Sequence, residues 1–450
     1  MGGQLGRPLL KRKRGRPHFS WAGRPSAPPG GGRHPLRSGA GEEVNAVDRQ
    51  GLGVNDVKKE NRCLVLRAIV DTPMISRGEL ARRTGLSKMS MSNIIGELMG
   101  SGIVRELEAG RCAQGALGRR PGYLDLTDTS PCVIGVSISR HDVQVTAGDL
   151  RTRILRREKR PYPASMDQNA LIRLTLEAIR QVRRDLDRPV LGVGIAAIGP
   201  VSTQRGTILS PANFFGLRDI PIVGAVERDT GLPVFLASDS MACAQGEKLF
   251  GEGRAHSNFL FLLIWEGIGC GIIVEDKPYA GARGLGGELG HTCIRFDGPS
   301  CACGSKGCLE LYANAQRMAQ RVGQTLSQHP LPSGCALDWA GIWRAALAGH
   351  AGALDACREY CDYLACALVN MVNVFDPELI YLCQQEDESY GGLIRDMLEE
   401  RIQRSSLAPD CRAVPVRFAT FGPQAAVVGS LAMVVGQVFN GALPFQPDGN

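Results

Sequence analysis

One histidine, four cysteines and two glutamates crowd the stretch Gly286–Glu310, which reads GGELGHTCIRFDGPSCACGSKGCLE. Cys301 lies ten residues after His291, Cys303 two further on and Cys308 five beyond that. Three thiolates and one imidazole make a closed tetrahedral set for Zn²⁺, the ligand composition of structural rather than catalytic zinc. Gly304 and Gly307 let the short loop fold back so that Cys303 and Cys308 reach one ion. Buried reduced thiols are the alternative in a chain with 15 cysteines, but the CxC and CxxxxC spacing beside a histidine favours a metal. Cys293, two residues from His291 on what reads as a strand, faces the other way and is expected in the core. Glu288 and Glu310 flank the cluster and neither is needed as a ligand, so a second, polar site is expected beside the metal loop.

Such a loop needs a scaffold, and from Cys132 onward the chain alternates strands and helices. Val133–Ile138 and Val143–Asp149 read as a β-hairpin, Asn169–Asp187 as an amphipathic helix and Val190–Ala197 as a buried strand. Pro233–Ala237, Phe259–Trp265 and Gly271–Val274 are further apolar strands. Helices follow at Ala351–Phe375 and Gly391–Arg404, then a strand near Val414–Ala419 and a last helix at about Gln424–Phe439. This is an α/β core large enough to divide into two lobes.

Charge is placed unevenly. Residues 1–50 carry ten Lys/Arg against three Asp/Glu, a surplus equal to the whole chain's +7, so the other 400 residues balance. Residues 1–52 read as a disordered basic tail, rich in Gly, Pro and Arg. Its run Lys11–Pro17 suits DNA phosphates and an A·T-rich minor groove, or is simply a solvated tail. No apolar run of 18 residues and no apolar h-region behind the basic N-terminus is visible, so the expectation is a cytoplasmic protein without membrane contact, its cysteines reduced or metal-bound.

Between tail and core, residues 53–128 read as a small module. Apolar positions from Val57 to Val70 predict a helix ending before Pro73. Ser76-Arg77-Gly78-Glu79 has the form of a capping box that opens a second helix, Gly85 makes the turn, and Ser87 caps a third. Helix, glycine turn, helix is the helix-turn-helix order, which sets the start of the last helix in the major groove. Ser87, Lys88, Met89, Ser90, Ser92 and Asn93 are then the candidate DNA contacts. Two strands at 102–107 and 122–127 enclose a Gly-rich basic loop ending Gly118-Arg119-Arg120-Pro121, a wing that would bring Arg119 and Arg120 to DNA. A helical interaction module with a hairpin is the non-DNA alternative.

With these motifs placed, residues 55–440 resemble the ROK family of repressors and sugar kinases. The resemblance rests on the Leu86–Ser92 helix with its winged loop. It rests equally on Gly287-Glu288-Leu289-Gly290-His291 followed by Cys-x-Cys-Gly-x-x-Gly-Cys-x-Glu. The winged half is similar to the family's repressors, such as those for xylose and N-acetylglucosamine; its stand-alone kinases lack that half. The resemblance implies an N-terminal winged helix-turn-helix followed, over 129–450, by a two-lobed actin-like (ribonuclease H-like) sugar-binding domain with its zinc loop at 291–308. The family's Asn-Asp-Ala-Asn motif reads Ser238-Asp239-Ser240-Met241, so Asp239 keeps the kinase base position. Asn213, Ser238, Asp239, Glu288, His291 and Glu310 are the implied sugar contacts, His291 serving metal and sugar through its two nitrogens.

Three ATP elements depart from the family pattern. The first phosphate loop reads Ser137-Ile138-Ser139-Arg140-His141, without the carboxylate and glycines that cradle Mg²⁺ and phosphate. The second reads Trp265-Glu266-Gly267, and the adenosine side after Asp376-Pro377 lacks its glycine pair. The reading is therefore a zinc-containing, sugar-responsive DNA-binding regulator, a repressor of a carbohydrate uptake or catabolism operon. It acts on operator DNA as a homodimer or higher homo-oligomer and has no catalytic residue. An active sugar kinase, and a regulator answering to a transport protein instead of a sugar, are the alternatives.

Overall fold

A computed structural model describes residues 54–107, 122–184, 186–265, 267–384, 388–408, 410 and 412–445. Three helices come first: α1 (Val54–Asp71), α2 (Arg77–Thr84) and α3 (Lys88–Gly100). Both expected caps form, with Ser76 Oγ accepting the Glu79 N–H and Ser87 Oγ the Ser90 N–H, each at 3.1 Å. Gly85 turns between α2 and α3 at φ 66°, in the left-handed region. Strands β1 (Ile75–Ser76), β2 (Val104–Leu107) and β3 (Tyr123–Leu126) form an antiparallel sheet in the order β1-β3-β2.

A five-stranded mixed sheet follows in the order β10-β7-β4-β5-β6. Its strands are β4 (Cys132–Ile138), β5 (Asp142–Asp149), β6 (Ile154–Pro161), β7 (Val190–Ala197) and, after the small ribbon of β8 (Val201–Ser202) and β9 (Thr207–Ile208), β10 (Val234–Ser238). Helices α4 (Gln168–Arg184) and α5 (Ile222–Thr230) share one apolar cluster with it. β4 and β5 are the expected hairpin, antiparallel from Cys132↔Asp149 to Ile138↔Val143.

Helix α6 (Asp239–Phe250) then leads to a second mixed sheet, ordered β13-β12-β11-β14-β15. It comprises β11 (Phe259–Ile264), β12 (Ile268–Val274), β13 (Lys277–Pro278), β14 (Leu379–Gln384) and β15 (Val416–Phe418). Helices α7 (Ala315–Gly323), α8 (Trp339–Leu347), α9 (Ala351–Phe375) and α10 (Glu388–Ser405) belong to this half, their apolar sides packed into one large cluster. The last helix, α11 (Ala425–Phe439), returns to the first sheet and crosses α6.

That crossing joins the halves. A Cβ on Gly246 of α6 would stand 3.1 Å from Gly429 Cα of α11, so the two backbones touch where neither carries a side chain. The segment Gly422–Phe439 is apolar and long enough to cross a membrane, but 72% of it is buried inside the protein, as a core helix should be.

Candidate functional site

An inner cavity of about 100 Å³ lies at the ends of the two sheets. The β4–β5 turn supplies Ser137 to Arg140, the β10–α6 junction Ser238 to Ser240, and the start of α11 Ala426. Glu288, His291 and Glu310 enter from the cysteine-rich loop. Of the six expected sugar contacts, Ser238, Asp239, Glu288, His291 and Glu310 line this cavity. Asn213 does not; it lines a neighbouring outer cavity of about 610 Å³ together with Trp265, Gln316 and Trp339.

Local structure fixes the carboxyls. Ser238 is the extended N-cap of α6 and Asp239 its first residue, at the positive end of the helix macrodipole. Asp239 Oδ1 accepts the Ser240 N–H at 2.7 Å, and Glu310 Oε1 accepts the Ile268 N–H at 2.9 Å. Burial pushes Asp239 up to about 6, against the opposing pull of the Ser240 N–H and the Arg140 guanidinium. Burial also raises Glu288 to about 7, with the charges of Asp239 and Glu310 adding to it. Three carboxyls and an imidazole around a small cavity offer charged acceptors and one donor to a polyhydroxyl ligand.

Beside the cavity the expected ligand set assembles. The donor atoms of His291, Cys301, Cys303 and Cys308 all lie within 4.8 Å of one another. Cys301 Sγ stands 3.7 Å from His291 Nδ1, and Cys303 Sγ 3.6 Å from Cys308 Sγ. A tetrahedron with metal–sulfur bonds of about 2.3 Å has edges of about 3.8 Å, so one small cation fits this cluster with little movement. Gly304 and Gly307 both adopt positive φ, at 93° and 64°, and a Cβ on Gly307 would strike the Arg295 carbonyl. The loop closes as expected because these two residues carry no side chain.

Cys293 is a correction. It is exposed rather than buried, and its backbone forms an isolated antiparallel bridge with Cys308. The chain leaves His291 from a short 3-10 turn (Leu289–His291) and runs along the surface. Strand alternation therefore does not apply to Cys293, and Cys308 takes the buried place.

Arg140 was legible only as bulk at a glycine position. It walls both cavities, and its Nε donates to the Ala212 carbonyl at 3.1 Å. Arg151, which no motif pointed to, reaches the N-terminal helices: it donates to the Ile69 and Val70 carbonyls at 2.8 and 2.9 Å and to Asp125 Oδ1 at 2.6 Å. On α3, Lys88, Met89, Ser92 and Asn93 are exposed, Met89 at 77%, while Ser87 is exposed but spends its hydroxyl on the cap and Ser90 is half-buried. Arg119, Arg120 and the loop that carries them lie outside the described residues, as do Glu266 and the run Lys11–Pro17.

Two mixed sheets joined by a pair of crossing helices, with an acidic cleft at the helix ends and a Cys₃His loop beside it, define a protein built like the sugar kinases of actin-like fold. The chain belongs to the ROK family, whose model matches residues 133–437. It is 28% identical over 395 residues to the "Xylose repressor" of Caldicellulosiruptor bescii, covering 85% of this chain and 97% of that one. Among solved structures it resembles a ROK family transcriptional regulator, a homologue of the Escherichia coli MLC protein. There the TM-score is 0.71 at 26% identity, over 86% of this chain and 97% of that one. A ROK family glucokinase from Streptomyces griseus, solved with glucose and AMPPNP, matches at TM-score 0.57 and 28% identity, over 67% of this chain and 98% of its own. The two regulators thus match more of the chain than the glucokinase does.

Proposed function

We propose that the chain is a sugar-responsive transcriptional repressor of a carbohydrate uptake or catabolism operon, acting in the cytoplasm as a homodimer or higher homo-oligomer. In this reading residues 53–128 are a winged helix-turn-helix that binds operator DNA through Ser87, Lys88, Met89, Ser90, Ser92, Asn93, Arg119 and Arg120. Residues 129–450 bind the sugar through Ser238, Asp239, Glu288, His291 and Glu310, with Asn213 at the outer edge. Zn²⁺ is held by His291, Cys301, Cys303 and Cys308. With Nδ1 turned to Cys301, the other nitrogen of His291 is left for a sugar hydroxyl. Bound zinc would supply a rigid brace for the loop carrying Glu288 and Glu310.

One observation supports the reading: α11 runs from the cavity to the N-terminal helices. Ala426 at its start walls the inner cavity. Val434, Val435, Val438 and Phe439 near its end share an apolar cluster with Val65, Leu66 and Ile69 of α1 and Leu98 of α3. At 1.5 Å per residue these ends lie roughly 20 Å apart. Arg151 ties the end of α1 and β3 to the first sheet, and Arg254 adds an ion pair to Asp71 at 2.9 Å. A sugar that draws the sheets together shifts α11, and with it the pair of reading helices presented to a palindromic operator.

Phosphoryl transfer is the reading set aside: Arg140 lies in the stretch aligned with the family's phosphate loop, Trp265 walls the cleft, and Asp239 is read as a sugar contact rather than a base. The deciding experiment measures binding of the purified chain to DNA flanking its own gene across a salt series, then adds xylose first, because a relative carries that name. Affinity that falls steeply with salt and is relieved by a sugar is expected. Absent or salt-insensitive DNA binding overturns the reading. ADP release with sugar and ATP would establish the kinase instead.

A further inference from the structure

The inner cavity accounts for only the smaller part of the cleft. At about 100 Å³ it is narrow, whereas the outer cavity holds about 610 Å³. Arg140, Trp265, His291 and Glu310 wall both. The two cavities are therefore neighbours that meet at these four side chains.

The outer walls have their own chemistry. Trp265 and Trp339 present indole surface, and Asn213 and Gln316 carry primary amides. Trp339 is held edge-on against Trp343 at 5.6 Å and Tyr360 at 5.2 Å, so its orientation is set by the core of the second half. Asn213 sits at φ 55°, a left-handed conformation that asparagine tolerates better than most residues with a side chain. The next two residues, Phe214 and Phe215, pack edge-on against Tyr162 at 5.8 and 5.7 Å, which fixes the segment that follows it. A pyranose ring has an apolar C–H face and a rim of hydroxyls, which match indole surface and amides respectively.

Resting on the reading above, we propose that the effector is a chain of at least two sugar rings. The terminal ring occupies the inner cavity among Asp239, Glu288 and Glu310, and the next lies in the outer cavity against Trp339 and Trp265 with Asn213 and Gln316 on its hydroxyls. A nucleotide fits this cleft less well. Its polyphosphate would face the three carboxyls.

Calorimetry on the zinc-replete full chain tests this with two matched pairs, xylose against xylobiose and glucose against cellobiose. In at least one pair the disaccharide is expected to bind at least about tenfold tighter, a difference of about 1.4 kcal/mol. Trp339→Ala should bring the ratio of the two affinities to within about threefold of one. Gln316→Ala, on the exposed side of α7 and away from the core, should lower the ratio at least about threefold even if the tryptophan variant folds poorly. Monosaccharides binding as tightly as their disaccharides would overturn the inference and leave the sugar-responsive reading standing. AMPPNP displacing the disaccharide at lower concentration than either sugar would assign the outer cavity to a nucleotide and overturn it as well. Binding of neither member of either pair overturns the inference, and the DNA-relief assay then decides separately whether the repressor reading falls with it.

Discussion

Asp239→Asn should make the protein more stable and less able to bind its ligand, and pH separates the two effects. Burial holds the Asp239 carboxyl at about 6 instead of the ordinary 3.8. The native state therefore keeps its proton longer than the unfolded chain does. Stability from this group is fully present below pH 3.8 and lost as pH rises toward 6 and beyond. Each pH unit between those values is worth about 1.4 kcal/mol, so the ionised carboxylate costs the native state at most about 3 kcal/mol at pH 8. Asparagine keeps Oδ1 for the Ser240 N–H and carries no charge, so the penalty disappears. Urea unfolding of both proteins should show the variant ahead by as much as about 3 kcal/mol at pH 8 and by only about 1 kcal/mol at pH 4.5. Sugar affinity should fall by about 1.5–3 kcal/mol, as for other hydrogen bonds to a charged acceptor. A variant equal to or less stable than the parent at pH 8 refutes the argument that burial strains this carboxylate.

Arg151→Ala should leave Asp125 half-buried without its cation and free two carbonyls, loosening the N-terminal helices by about 3 kcal/mol. Hydrogen exchange should accelerate in residues 54–107 before it does in the sheets; unchanged protection there would dismiss the clamp. Elemental analysis should find one zinc per chain, with Cys301→Ala losing most of it and weakening the sugar response; full sugar affinity in that variant would remove the brace role. Lys88→Ala should lower the slope of log affinity against log salt by about 1 for each reading helix in contact, and an unchanged slope would take Lys88 off the phosphates.

Much of the scaffold was legible because its signals are local. Ser76 and Ser87 declare helix starts through hydrogen bonds made within three residues, and α9 follows its apolar period from Ala351 to Phe375. Helix α6 carries no such local signal. It lies between the second sheet and α11, so residues all round it are buried and no single apolar stripe marks it. Strand β6, Ile-Leu-Arg-Arg-Glu-Lys-Arg-Pro, reads as a charged run because it is an exposed sheet edge, where charge discourages pairing with another chain. In the site, spacing and motif pointed to the four residues that cluster at 291–308 and to five of the residues that share the inner cavity. Asn213 lines a different cavity, and the contacts that seat its segment include Tyr162, about 50 residues earlier, which no local pattern reveals. Arg151 carries no local signal at all, since its partners lie 26 to 82 residues away.

The touching backbones of Gly246 and Gly429 set the terms on which such a chain can diversify. That crossing has no room for a methyl group, so it offers substitution almost nothing. The cavity walls and the exposed start of α3, by contrast, hang on opposite ends of the same frame and do not touch each other. A change fitted to either end therefore has to keep this crossing and the course of α11 between them. A joint this close does not absorb movement, so what shifts one end of α11 is passed along to the other.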